Sequence, residues 1–121
     1  MGEHRKLARV TSADLYIEDH GILTVLVMLD FGSSGQGFGG YALDEWSEED
    51  RRRVGTAAGA DFVLRLLSVF GAESLSKLKG RMVYALTESD AFGAKIIGIQ
   101  MTEPDGGAKF LIEDWRKRWF K

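Results

Sequence analysis

The sequence predicts an α+β fold: an antiparallel sheet of about five strands packed against one main helix, with a short helix at the C-terminus. Apolar residues alternate with period two in several segments, and a single 3.6-residue apolar stripe lies between them. The strand-like segments also come in runs instead of alternating with helices, which favours antiparallel pairing. The 121 residues suffice for one core and not for two, so residues 1–121 read as one domain.

Ala13, Leu15 and Ile17 face one way and Asp14, Tyr16 and Glu18 the other, the pattern of a half-buried strand. Glu18-Asp19-His20-Gly21 reads as a turn, with Gly21 free to take a positive φ. From Ile22 to Phe31 both faces are apolar, because Leu26 and Met28 oppose Leu23, Val25, Val27 and Leu29. That pattern predicts a central strand covered on both sides, paired with the first as a hairpin. The next stretch is dense in glycine, at positions 32, 35, 37, 39 and 40. Continued as a strand through Leu43, it puts Gln36, Phe38, Gly40 and Ala42 on one face and Tyr41 and Leu43 on the other. Asp44 to Arg53 alternates in charge and reads as a loop or a short solvated helix.

Gly59, Phe62, Val63, Leu66, Leu67 and Phe70 form the clearest helical stripe, and Gly71 stands where a helix-ending glycine belongs. Ser74 to Lys79 adds a helical turn stopped by Gly80. Arg81 to Glu88 and Ala94 to Met101 read as a second strand pair joined across Ser89 to Gly93. Pro104, with Asp105-Gly106-Gly107, marks a loop. Phe110-Leu111-Ile112 is strand-like, and Asp114 is placed to cap a helix from Trp115 to Phe120.

Composition narrows the function classes. An apolar content of 45% with seven Phe, three Trp and three Tyr argues against disorder. A formal charge of −2 and a pI near 5.7 disfavour a nucleic-acid polymer as partner. With no cysteine, disulfides, zinc–thiolate sites, iron–sulfur clusters and thiol nucleophiles are ruled out. No apolar run reaches signal-peptide or membrane-span length, so the expectation is a cytoplasmic protein with no membrane partner.

Gly35-Gln36-Gly37-Phe38-Gly39-Gly40 matches the spacing of a dinucleotide-binding loop, but no βαβ unit surrounds it and no helix starts at the glycines. Two readings stay open: a strand against which another group packs closely, or backbone N–H groups offered to a ligand phosphate or base. His20 reads as a turn histidine without a ligand set around it, and His4 as part of a mobile terminus; no metal is expected. No nucleophile motif is present, which argues against an enzyme, and no cofactor is implied.

The C-terminal segment Trp115-Arg116-Lys117-Arg118-Trp119-Phe120-Lys121 mixes cations that fork onto phosphate with rings that stack on bases. The same spacing also suits Trp115 and Trp119 packing on the sheet under solvated cations. Arg81 and Lys95 are further candidates for an anion-facing surface. The candidate ligand residues are Arg81, Arg116 and Arg118 for phosphate, Phe38, Tyr41 and Trp115 for stacking, and Gly37 and Gly39 for close backbone approach.

Three blocks carry a resemblance: Leu15-Tyr16-Ile17-Glu18-Asp19-His20-Gly21-Ile22-Leu23-Thr24, Gly35 through Asp44, and Leu78-Lys79-Gly80-Arg81. In this order they resemble the Thoeris anti-defence type-one family of small phage and prophage proteins. The resemblance implies a protein that binds glycocyclic ADP-ribose without cleaving it; some members of the family also hold cyclic oligonucleotides at a separate site. It also implies dimers that assemble into hexamers, in a host cytoplasm. Asp105 to Ala108 and the charged patch before the helix depart from the family pattern. The alternative reading is a protein-binding inhibitor of a bacterial defence complex, of the anti-CRISPR type, with Glu48-Glu49-Asp50 engaging a basic channel.

Overall fold

The structure, a computed structural model, describes residues 4–102 and 107–120, so the loop expected around Pro104 and Asp105 lies outside the described residues. Strands β1 (His4–Ile17), β2 (Leu23–Asp30), β3 (Gly35–Gly39), β4 (Asp44–Ser47) and β5 (Arg52–Gly55) precede helix α1 (Ala57–Phe70). A single 3₁₀ turn (Leu75–Lys77) leads to β6 (Met82–Thr87), β7 (Ile96–Met101), β8 (Lys109–Leu111) and helix α2 (Ile112–Trp119). One antiparallel sheet has the order β3-β2-β1-β6-β7-β8, and β4 and β5 form a separate hairpin. The fold class is therefore α+β, with one main helix.

The first strand begins at His4 and not at Ala13, and His4 pairs with Thr87 instead of hanging free. A register shift between Val10 and Ser12 explains why alternation hid this. It moves the core-facing set from Ala8 and Val10 to Ala13 and Leu15, so no single parity runs through the strand. Asp44 to Arg53, expected as a loop or helix, contains the β4–β5 hairpin. Arg53 grips Asp44 through Nε at 2.9 Å and Nη2 at 2.8 Å, a bidentate pair across the two strands that local charge alternation does not reveal.

The helical reading of residues 57–70 is matched closely. Thr56 accepts from the Gly59 amide at 2.9 Å, and its hydroxyl donates to the Leu43 carbonyl at 3.0 Å. At the other end Gly71 adopts φ 63°, and the Ala72 amide reaches back to the Leu67 carbonyl at 3.0 Å. In α2 the first helical residue is Ile112, and Leu111 occupies the cap position. Asp114 lies within the first turn and caps nothing.

The sheet is strongly curled. Although three strands separate β3 from β7, Gln36 Nε2 donates to the Ala94 carbonyl at 2.8 Å, and the Phe38 ring meets Phe110 of β8 at 5.8 Å. Inside the curl sits Phe62 of α1, fully buried, with ring contacts to Phe38, Tyr41, Phe110 and Trp115 at 6.4, 5.9, 5.0 and 5.0 Å. Among the described residues only this inner face carries helices, so β2 is not covered on both sides as expected. Its outer residues Leu26 and Met28 lean over the side-chain-less position of Gly37, where an added Cβ would meet Leu26 Cδ1 at 2.9 Å. β3 ends at Gly39, because Gly39 and Gly40 take φ of 111° and 84° and turn Tyr41 towards α1.

Gly59 lets α1 lie directly on the Leu43 carbonyl, which an added Cβ would overlap. Alanine inside a helix normally stabilises by about 1 kcal/mol over glycine. Here Gly59→Ala is expected to destabilise the protein in urea unfolding, with Phe62→Ala costing about 3–5 kcal/mol on the same assay.

Candidate functional site

A cleft of about 420 Å³ opens where the curled sheet stops short of closing. Tyr41, just past β3, forms one side; Lys95 and Ile97, at the start of β7, form another, with Glu88 beyond β6. Leu111 of β8, Ile112, Glu113, Arg116 and Lys117 of α2, and Phe120 just after it complete the lining. The volume falls within the range of small-molecule sites, roughly 300–1,000 Å³.

Trp115 sets the geometry from below. It is 3% exposed, and its indole N–H donates to the Ala58 carbonyl at 2.8 Å. Its ring backs Tyr41 at 5.8 Å and Phe120 at 5.2 Å, so the two aromatic walls rest on one buried indole. Arg116 lies over the Tyr41 ring at 5.4 Å. Lys117 pairs with Glu113 at 3.4 Å, with both groups well exposed, a contact of small energetic weight. Among the described residues Lys95 is in no ion pair. The cleft thus offers two aromatic faces, two cations that are in no ion pair among the described residues and a third that is readily released, alongside the carboxylates of Glu88 and Glu113.

Of the eight residues expected from sequence, the fold brings Tyr41 and Arg116 together here. Trp115 supports them from the core and has no open ring face to offer. Phe38, 1% exposed, is a core side chain between Phe62 and Phe110 and is likewise unavailable for stacking. Arg118 lies over the Trp119 ring at 4.2 Å, and its position is not among those lining the cleft. Arg81 donates to the Phe70 carbonyl at 3.2 Å and serves the C-terminal end of α1. Gly37 and Gly39 are in β3, where Leu26, Met28 and the Val25 carbonyl fill the space beside them. This favours the packing reading of the glycine stretch.

Sequence reasoning missed Glu88, Ile97 and the role of the intervening loop. Lys6 Nζ ties that loop down at the Ala91 carbonyl at 3.0 Å, and His4 Nδ1 pairs with Asp90 at 2.8 Å. Phe92, 87% exposed, stands at its tip between cleft-lining Glu88 and Lys95. No periodicity marks a loop residue, so no local signal pointed to it. His20 sits in the β1–β2 turn with Nδ1 3.1 Å from Glu18. Among the described residues no group of three or more His, Asp or Glu side chains is placed to hold a metal ion, and no helix is long and apolar enough to cross a membrane.

The wall formed by α2 is held by Asp61 of α1. Its carboxylate accepts from Arg65 Nε at 2.8 Å and from the Trp119 indole at 2.8 Å. These bonds, the Arg65 bond foremost, hold the carboxyl below its ordinary range. A lowered folded value means stability that is fully present above the unfolded pKa of about 3.9 and is lost as pH falls through the folded value. Asp61→Asn, which keeps the shape and removes the charge, is expected to melt below wild type at pH 7. The gap should close in a thermal-melt series as pH falls below the unfolded pKa of about 3.9 and through the lower folded value, where the wild-type carboxyl takes up its proton.

No family model, curated protein or solved structure matches the chain.

Proposed function

We propose that this chain is a non-catalytic receptor that captures a cyclic nucleotide signal, glycocyclic ADP-ribose first among them, and withdraws it from a bacterial defence. The observation that carries this reading is the Arg116 guanidinium parked on the Tyr41 ring in a cleft that also holds Lys95, Lys117 and Phe120. A nucleotide presents a flat base and a charged phosphate, and these are the two partners that an aromatic face and a guanidinium fork take. The resemblance of residues 15–24, 35–44 and 78–81 to the Thoeris anti-defence family supports the same ligand class. An exposed cation–π contact is worth only about 0.5–1 kcal/mol, so Arg116 can leave the ring when base and phosphate arrive. A phosphate then gives it a stronger, two-pronged partner. Out-competing a host receptor calls for nanomolar affinity, about −12 kcal/mol. An assembly of copies, as the family resemblance implies, brings further contacts to the open side of the cleft.

A second reading, a protein-binding inhibitor, is favoured by the β4–β5 hairpin, whose tip exposes Glu48, Glu49 and Asp50. The two are separated by one experiment. The purified protein is mixed with glycocyclic ADP-ribose, freed of unbound ligand by filtration and heat-denatured, and the released material is assayed. Intact ligand is expected in the released fraction. Arg116→Ala is expected to weaken capture roughly ten- to a hundredfold, the loss of about 1.5–3 kcal/mol of charged hydrogen bonding. A cleaved product contradicts the non-catalytic reading. Ligand that stays in the filtrate, together with co-purification of a host protein, supports the inhibitor.

A further inference from the structure

The inner face of the sheet is buried along β2, where Val25, Val27 and Leu29 are each 1% exposed, but the end of β1 beside the β1–β2 turn is left uncovered. α1 packs against α2, β7 and β8, and the far half of β1 reaches past it. Leu15 and Ile17, on the core-facing parity of that strand, are 48% and 62% exposed, and Leu64 of α1 is 64% exposed. Leu15, with Leu23, Leu43, Ala60 and Val63, lines an almost wholly apolar groove of about 230 Å³, and Ile17 and Leu64 are outside that lining. Leu64 follows one turn after Ala60. Contiguous apolar exposure of this kind marks an interaction surface.

The rim of the groove is acidic. Asp44 accepts from the amide of groove-lining Leu23 at 3.1 Å, and Glu18 accepts from that of Ile22 at 3.3 Å. Glu18 and Glu45 both act electrostatically on Arg53, which Asp44 already neutralises, and Asp19 follows Glu18 in the turn. Glu18, Asp19, Asp44 and Glu45 thus outnumber the cations Arg52 and Arg53, and Arg52 is turned onto the Arg53 carbonyl at 3.1 Å. Two copies meeting through this face on a two-fold axis would bring the acidic rim towards itself.

We propose that this groove docks a short basic amphipathic helix of a protein partner, its apolar side against Leu15, Ile17, Val63 and Leu64 and its Lys or Arg side chains on the acidic rim. The mode is helix-in-groove recognition, with anchors three and four residues apart. The surface is separate from the cleft at α2 and does not depend on what that cleft binds.

The probe is a labelled twelve-residue Leu/Lys amphipathic peptide, with a Leu/Glu peptide of identical apolar face as its control. Fluorescence anisotropy is read on the wild-type protein and on the double variant Ile17→Thr, Leu64→Gln, whose side chains are surface-exposed and suit strand and helix respectively. Circular dichroism melts establish that the variant is folded; if it is not, the milder Ile17→Val, Leu64→Ala pair replaces it. The Leu/Lys peptide is expected to bind the wild type at least about tenfold tighter than the Leu/Glu peptide and to lose about tenfold on the variant. Equal affinity for the two peptides, or unchanged affinity on the folded variant, overturns the proposal. So does a sedimentation mass that drops from dimer to monomer in the variant, which assigns the face to a second copy.

Discussion

Phe62 holds the molecule together because elements far apart in the sequence all touch it. Rings from the end of β3, from the residue just past it, from β8 and from α2 converge on it. Each ring pair is worth about 0.5–1.5 kcal/mol beyond its burial. The consequence is geometric more than energetic: with both edges of the sheet anchored on one helix side chain, the sheet has to curl. Gly59, one turn earlier, allows this by letting the helix rest on the Leu43 backbone.

The candidate cleft is a product of that curl. Tyr41 is drawn in by Phe62 and Trp115, α2 is fastened to α1 by two indole hydrogen bonds, and the opening left between them is lined by what α2 carries outward. Apolar residues of α2 face the core, so its cations have nowhere to go but the cleft rim and solvent. The candidate cleft and the docking of the last helix are therefore one arrangement. A ligand that orders Arg116 also gains from a wall already held by Trp115 and Asp61, with little further ordering to offset.

A net charge of −2 conceals a polar molecule. Cations gather on α2 and carboxylates at the β1–β2 turn and the neighbouring β4 strand, at separate places on the fold. The two proposed partners, an anionic small molecule and a basic helical segment, call for these different surfaces, each with apolar contact beside the charge. Neither preference can be read from total charge, which averages the two away.

Local regularity made part of this legible in the sequence. The 57–70 helix, its Gly71 stop, the β1–β2 turn and the β6–β7 pair each depend on residues within one segment, and the α+β class follows from their order. The aromatic and basic C-terminus pointed to Tyr41's eventual partner, Arg116, because cations beside rings are chemically distinctive in any fold. What tertiary structure decided were the relations across segments. The bulge that changes parity in β1, the Arg53–Asp44 pairing behind the β4–β5 hairpin and the filling of Gly37 by Leu26 and Met28 all answer to a neighbouring strand. Burial separated Phe38 and Trp115 from Tyr41, although all three are aromatic and looked equivalent in the chain. Residue chemistry and short-range period are properties of the sequence itself, whereas which ring faces a ligand depends on which strand edge is left open, and that is settled only when the sheet curls around α1.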